Sequence, residues 1–145
     1  MEFFATYREI LRCELVYATG CTEPIAIAYA AAVARQTLGA MPERLVVLCS
    51  GNIVKNVKSV IVPGTGGLRG IEAAALIGAV GGDAGAGLNV LHGVTEAHRA
   101  EAAALLEAGV CEVGLLESEE PLHIRLSAEG GAHRAEVEIR GAHTN

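Results

Sequence analysis

The chain has 145 residues, a formal charge of −6 and 51% hydrophobic residues. This length fits one domain, and the apolar content suffices for a buried core, so a disordered chain is excluded. No basic run is present, and we expect no nucleic-acid binding. The apolar stretches end well before the about 20 residues that a membrane helix needs, and the N-terminus lacks a signal-peptide pattern. We therefore expect a cytoplasmic protein that does not bind a membrane.

The first third of the chain predicts two helices and a strand. Residues 2–17 have the spacing of an amphipathic helix. An Ala-rich helix is predicted from Pro24 to about Leu38, because proline suits a first helical turn and Gly39 is a favourable stop. The continuous apolar run 44–50 (RLVVLCS) predicts a strand inside a sheet.

The middle of the chain predicts further helices separated by loops. Residues 51–58 (GNIVKNVK) are polar and are predicted to be irregular, and residues 59–62 form a second short apolar run. Residues 64–67 (GTGG) predict a flexible loop, and residues 70–80 predict an Ala-rich helix. A short helix is expected over residues 84–91.

The last third of the chain predicts one helix and three strands. Thr95 is a suitable cap for a helix that ends at Gly109, and residues 110–116 predict a strand. Residues 122–128 and 135–139 alternate apolar and polar side chains, as a half-buried β-hairpin does. The predicted fold is therefore α+β, with a mixed sheet of about four or five strands, a C-terminal β-hairpin and Ala-rich helices packed on the sheet.

Gly130 and Gly131 between these two strands predict a two-residue turn. That turn would place apolar residues opposite each other on one face and opposite charges on the other. The predicted pairs are Leu122 with Ile139, Ile124 with Val137, Leu126 with Ala135, His123 with Glu138, and Arg125 with Glu136.

The four cysteines do not form a C-x-x-C motif, so a zinc knuckle and a thioredoxin-like site are excluded. We expect Cys13, Cys49 and Cys111 to be small buried residues. Cys21 precedes a predicted helix, whose free N–H groups and dipole favour a thiolate, the form that acts as nucleophile or metal ligand. The alternative for Cys21 is a buried thiol beside an ordinary cap.

Three other segments place polar or glycine residues where a ligand could bind. Residues 50–58 follow a strand and carry two Asn and two Lys, which suit a carboxylate, although a solvated loop would look the same. The glycine loop of residues 63–70 exposes N–H groups to an anion, but it lacks both the dinucleotide and the P-loop patterns. Residues 141–145 (GAHTN) are either the start of a functional loop or a disordered end.

Two other kinds of site are not supported by the sequence. A single Asp, Asp83, and the lack of a G-x-S-x-G motif argue against a Ser-His-Asp triad. The histidines His92, His98, His123 and His133 show no metal-binding pattern.

Taken in order, four segments resemble the L-cysteine desulfidases, which are related to the iron–sulfur L-serine dehydratases. The segments are GCTEP at 20–24, SGN with KN at 50–56, PGTGG at 63–67 and HTN at 143–145. The resemblance implies an enzyme with a 4Fe–4S cluster that performs α,β-elimination on L-cysteine to give pyruvate, ammonia and sulfide. It also implies that this chain is one domain, residues 1–145, forming the N-terminal part of a larger enzyme whose C-terminal cluster-binding domain is absent.

The resemblance and the chemistry of the side chains together assign roles to residues. Cys21 would be the one cluster ligand from this chain, with His143 and Lys55 as catalytic residues. The residues expected to contact substrate are Thr22, Glu23, Ser50, Asn52, Asn56, Gly64, Thr65, Gly66, Gly67, Thr144 and Asn145. Because a cubane cluster needs about four ligands, we expect the isolated chain to bind no cluster and to be inactive.

Several readings of the function remain open at this point. The substrate could be L-serine instead of L-cysteine, and the chain could be a non-catalytic regulatory domain that binds a small amino acid, or a structural interaction domain. The Cys21 segment favours the enzyme, because a sensor has no need of a cluster ligand. The expected partners are a small amino acid and the missing C-terminal domain or subunit, and an uncovered apolar face would allow homodimers.

Overall fold

The computed structural model of the chain describes residues 22–140, apart from the side chain of Thr22. Within this range the fold is α+β, as predicted. The helices are α1 (Thr22–Leu38), α2 (Gly51–Val57), α3 (Gly70–Gly81), a 3₁₀ helix (Ala84–Asn89) and α4 (Glu96–Glu107). The strands are β1 (Arg44–Cys49), β2 (Cys111–Leu115), β3 (His123–Gly130) and β4 (His133–Arg140). The predicted helix at 2–17 lies outside the described residues.

The four strands form one mixed sheet in the order β2-β1-β3-β4. β1 runs parallel to β2 and antiparallel to β3, and β4 is antiparallel to β3. As a result β1, β2 and β4 end, and β3 begins, at the same end of the sheet. We call this end the top of the sheet.

The C-terminal hairpin is present, but its predicted register is wrong by two residues. Gly130 pairs with His133, so the turn consists of Gly131 and Ala132. Gly131 has a φ of 59°, whereas Ala132, like every other non-glycine residue that the structure describes, does not have a positive φ. This combination is typical of a two-residue turn with glycine at its first central position. The observed pairs include Ile124 with Ile139, Leu126 with Val137, Arg125 with Glu138, Ser127 with Glu136, and Ala128 with Ala135.

The predicted pairs Leu122–Ile139, Ile124–Val137, Leu126–Ala135, His123–Glu138 and Arg125–Glu136 are therefore wrong as directly opposed partners. The assignment of faces is nevertheless correct, because a shift by two residues leaves each side chain on the same side of the sheet. The apolar residues of both strands are buried, namely Leu122, Ile124, Leu126, Ala128, Ala135, Val137 and Ile139.

The segment predicted to be irregular, residues 51–58, folds as the helix α2 over most of its length. Ile53 and Val57 are fully buried at i and i+4, so the segment has an apolar stripe despite its polar composition. The first turn of α2 is closed by a 3.1 Å hydrogen bond, in which the amide of Val54 donates to the carbonyl of Ser50. The prediction failed because two apolar residues are enough to fix two helical turns against the core.

The other predicted elements agree with the structure in position. The glycine at 39 follows α1 with a φ of 83°, and the short helix expected after α3 is a 3₁₀ helix. Thr95 caps α4 by accepting from the amide of His98, and the imidazole of His98 in turn accepts from the amide of Thr95. The apolar run 59–62 contributes only an isolated bridge between Ile61 and Arg69.

The core lies between the sheet and the helices α1 and α3. Small residues allow these two helices to approach closely, since a Cβ atom on Gly78 would overlap the backbone of Ala28. The guanidinium of Arg35 donates to the carbonyls of Ala79 and Val80, both at 3.1 Å, and so caps the end of α3. Across residues 22–140 none of the helices combines the length and the apolar character that spanning a bilayer would require.

Candidate functional site

Three of the predicted site residues lie on one exposed face of α2. Asn52, Lys55 and Asn56 are exposed and occupy positions i, i+3 and i+4, which are neighbours on a helix surface. The opposite face carries the buried Ile53 and Val57. We call Asn52, Lys55 and Asn56 the polar face of α2. Because α2 begins directly after β1, this face lies at the top of the sheet.

The start of α2 is fixed by hydrogen bonds to the loop that precedes β3. The hydroxyl of Ser50 and the side-chain amide of Asn52 both donate to the carbonyl of Pro121, at 3.0 and 3.3 Å. Ser50 is only 1% exposed, and its amide donates to the carbonyl of His123 at 2.9 Å. Ser50 therefore holds the loop in place, while Asn52 keeps an exposed side chain whose amide nitrogen is already oriented.

Lys55 and Asn56 are the parts of the polar face that are open to a ligand. Both are exposed, and within residues 22–140 neither side chain makes a hydrogen bond or an ion pair. An ammonium group and an amide group on adjacent positions can bind a carboxylate, and the amide oxygen can accept from an ammonium. The face thus has the groups needed to hold an amino acid by its backbone atoms.

The start of α1 also lies towards the top of the sheet. Leu38, at the other end of α1, lies close to Gly130 at the bottom of the sheet. A Cβ atom added to Gly130 would be 3.4 Å from Cδ2 of Leu38. The 17 residues of α1 span about 25 Å, enough to reach the top of the sheet. α1 contacts α2, and the first turn of α1, which carries the half-buried Glu23, lies towards the same end of the sheet as α2.

Four predicted site residues lie outside the described range, and a fifth is described only by its backbone. Cys21 comes directly before α1, and His143, Thr144 and Asn145 follow β4, which ends at Arg140 at the top of the sheet. Only the backbone of Thr22 is described. The roles assigned to these five residues stay predictions.

The glycine loop closes on itself through Thr65. The hydroxyl of Thr65 is buried, donates to the carbonyl of Val62 at 2.7 Å and accepts from the amide of Leu68 at 3.1 Å. Gly64, Gly66 and Gly67 have φ values of 80°, 76° and 134°, conformations that favour glycine. The geometry thus gives Thr65 a structural role, whereas its predicted contact with substrate stays a prediction.

The contacts of the glycine loop lead away from α2. The guanidinium of Arg99 donates to the carbonyl of Gly64 at 3.3 Å, so the loop lies beside the first turn of α4. The neighbouring His98 packs against Gly81, the last residue of α3. The first residue of α3, Gly70, is instead next to the end of α2, through the carbonyl of Lys58. Gly64 and Gly66 therefore lie near Arg99 at the start of α4, whereas Gly70, at the other end of this segment, lies near the end of α2.

The predicted partnership of His123 and Glu138 is present near the top of the sheet as a side-chain contact between diagonal neighbours, although no role at the site was predicted for either residue. His123 Nε2 lies 2.6 Å from Glu138 Oε2, and the two side chains are only 6% and 8% exposed. Hydrogen bonding from His123 lowers the pKa of Glu138, with further lowering by the charges of Arg125 and Arg140 against the raising effect of burial. The strand alternation predicts both residues on one face, but it assigns them no function, because His123 shows no metal-binding pattern in the sequence.

The two described cysteines are not activated thiols. Cys49 is fully buried, as predicted, whereas the prediction that Cys111 is buried is wrong, because Cys111 is only half-buried. Burial raises the pKa of each thiol to about 12. Within residues 22–140 no group of three or more His, Cys, Asp or Glu side chains is arranged to hold a metal ion. The described residues by themselves do not fit a 4Fe–4S cluster, which would need Cys21 and further ligands from elsewhere. Cys13 lies outside the described range.

Comparison with known proteins finds long relatives that share this sequence. The chain is 52% identical over 136 residues to a UPF0597 protein of Lachnoclostridium phytofermentans, covering 94% of the chain and 33% of the relative. UPF0597 proteins of Finegoldia magna and Treponema denticola are 49% and 48% identical, each over 96% of the chain and over 34% and 32% of the relative.

No family model matches the chain, and no solved structure matches it either. The chain spans about one third of the length of the relatives it matches. Nearly all of this chain is therefore similar to a segment that makes up about one third of the length of each of these UPF0597 proteins.

Proposed function

We propose that this chain is part of an iron–sulfur lyase that converts L-cysteine and water to pyruvate, ammonia and sulfide. Two observations support the proposal. The ordered motifs resemble those of the L-cysteine desulfidases, and the polar face of α2 presents Asn52, Lys55 and Asn56 together at the top of the sheet. The polar face is the observation on which the proposal depends most, because the motif residues would otherwise be scattered along a loop.

The chemistry of the polar face suits the common part of an amino-acid substrate. The ammonium of Lys55 would pair with the substrate carboxylate, and the amides of Asn52 and Asn56 would bind its remaining oxygen and its amino group. Glu23, towards the same end of the sheet, would favour the substrate ammonium by charge. The substrate would thus be held by its α-carboxylate and α-amino groups, with its side chain directed away from α2.

The elimination itself requires two proton transfers. A base removes the proton from the α-carbon, and an acid protonates the sulfur as its bond to the β-carbon breaks. Lys55 and His143 are the residues of this chain proposed to carry those protons. The cluster would take Cys21 from this chain and its other cysteine ligands from the remainder of the larger protein.

The proposal is tested in a chimera in which this chain replaces the matched third of the Lachnoclostridium relative. The purified chimera and the unaltered relative are treated anaerobically with iron and sulfide, desalted, and assayed with L-cysteine for sulfide and pyruvate. We expect both products in equal amounts from both proteins. L-serine is assayed in parallel for pyruvate and ammonia.

The possible results separate the candidate functions. Pyruvate from L-serine without sulfide from L-cysteine would make the protein a serine dehydratase. If the relative forms neither set of products while this chain binds either amino acid, the function is regulatory and the lyase proposal is wrong. Activity in the relative but not in a folded chimera would show that this chain has lost the function.

A further inference from the structure

A buried, hydrogen-bonded His–Glu pair lies on the face of the sheet that is turned away from α1 and α3. The pair consists of His123 at the start of β3 and Glu138 near the end of β4. Arg125 and Arg140 also approach the Glu138 carboxylate, at 3.6 and 3.5 Å. Apolar residues of the same size often stabilise a fold as well as a buried polar pair does. The pair therefore points to a specific structural task.

The first connection of the pair is to the loop before β3. Nδ1 of His123 lies 2.7 Å from the hydroxyl oxygen of Ser118, which also accepts from the amide of Glu120 at 3.1 Å. Glu120 is held a second time by Arg140, whose guanidinium lies 3.4 Å from its carboxylate. The loop of residues 118–121 is thus fixed to the sheet through side chains on both β3 and β4.

The second connection runs from this loop to α2. The carbonyl of Pro121, at the end of the loop, accepts from both Ser50 and Asn52. The backbone carbonyl of His123 accepts from the amide of Ser50. Hydrogen bonds at both ends, together with the backbone of the 118–121 loop between them, therefore link Glu138 and His123 to Asn52.

We propose that His123 and Glu138 are positioning residues, which hold the 118–121 loop so that the carbonyl of Pro121 orients Asn52 on the polar face of α2. The proposal rests on the proposed function in one respect, namely that the polar face binds the substrate amino acid. Neither His123 nor Glu138 touches the substrate in this arrangement. Their effect on binding would pass through Ser118 and Pro121.

The positioning role is tested first without any ligand, by NMR of the 145-residue chain. We expect His123→Ala and Ser118→Ala to shift the side-chain amide signals of Asn52 and to speed hydrogen exchange at the amide of Ser50 by about tenfold. Ser118→Thr keeps the hydroxyl and should leave both signals near their original values. If His123→Ala does not fold, the two Ser118 variants carry the test.

Ser127→Ala is the matched control. Ser127 is also buried on β3 and on the same face of the sheet, but its hydroxyl accepts from Arg134 at 3.2 Å and has no link to the loop. A change at Ser127 should leave the signals of Asn52 and Ser50 unaltered. If the Asn52 and Ser50 signals stay unchanged in the folded Ser118→Ala variant, the positioning role is wrong.

The second readout is the affinity for L-serine, an amino acid that resists oxidation, measured by titration of the same variants. We expect Ser118→Ala and Asn52→Ala each to weaken binding by about tenfold, and the double variant to be no weaker than either alone. Fully additive losses would contradict the positioning role. If the original chain and the full-length chimera both bind no amino acid while the Asn52 signals still respond, the proposed function fails and the positioning of Asn52 stands.

Discussion

At the scale of single residues, the groups around the Glu138 carboxylate stabilise its charged form. His123, Arg125 and Arg140 all approach its oxygens, and its pKa is lowered from the ordinary value. A carboxylate of this kind adds stability above its unfolded-state pKa, near 4.5, and that stability is lost as the pH falls through the lowered folded-state pKa.

We therefore expect Glu138→Gln to reduce the free energy of unfolding by about 2 kcal/mol near neutral pH, because a charge-assisted hydrogen bond becomes a neutral one. The difference from the original chain should shrink as the pH falls below 4.5, where the carboxylate becomes protonated in the unfolded state, and it should be lost below the lowered folded-state pKa. Urea unfolding at a series of pH values measures this. Glu119→Gln, at an exposed position, is the control and should change the stability little at any pH. A difference that stays constant with pH would contradict the ionic role of Glu138.

At the same scale, the types of residue at the candidate site could be predicted from the sequence, whereas the contacts between these residues could not. The residue types Asn52, Lys55 and Asn56 were recognisable as ligand-binding groups from composition alone. The role of Ser118 was not recognisable, because its partner His123 meets it only after the loop between β2 and β3 folds over the sheet. Contacts of this kind depend on tertiary structure, which a local pattern does not contain.

At the scale of elements, α2 decides whether the polar residues form a site. As an irregular segment, residues 51–58 would fix no relation between Lys55 and Asn52. As a helix they share a face, and Lys58, which follows the last helical residue, lies outside it. The polar composition of residues 51–58 led to the prediction of an irregular segment, although Ile53 and Val57 have the i, i+4 spacing of a helix.

The two lysines give a matched pair of variants. We expect Lys55→Ala to raise the KM of the chimera for L-cysteine about tenfold, because it removes the charged partner of the substrate carboxylate. Lys58→Ala removes the same charge three residues away and should leave the KM unchanged. A loss of kcat at unchanged KM would contradict the pairing with the carboxylate and would leave Lys55 with its proposed role in proton transfer alone. Equal effects of the two variants would show that the polar face does not bind the substrate.

At the scale of the whole molecule, close packing of α1 on α3 holds the helical layer together. The Ala content of α1 and the Ala and Gly content of α3 allowed this packing to be expected from the sequence. The order of the strands could not be expected, because β1 pairs with β2 and β3 across long stretches of chain. That order is what brings α2 and the loop before β3 to the same end of the sheet.

Gly78→Ala tests the helix packing. A Cβ atom at this position would overlap the carbonyl of Ala28, which is backbone and cannot move aside easily. We expect the free energy of unfolding to fall by about 3 kcal/mol. Gly93→Ala is the control, because a Cβ atom there meets no atom within 4 Å. A Gly78→Ala variant as stable as the Gly93→Ala variant would contradict the observed approach of the two helices.

The central claim is that this chain supplies Cys21 to the cluster of a composite lyase. The most direct measurement compares Cys21→Ala and Cys111→Ala in the anaerobically reconstituted chimera, by the visible absorbance of the cluster and by sulfide release from L-cysteine. We expect Cys21→Ala to lose both signals. Cys111→Ala should keep both, because burial raises the pKa of the Cys111 thiol to about 12 and makes it a poor ligand. A Cys21→Ala chimera that keeps its cluster and its activity would contradict the account.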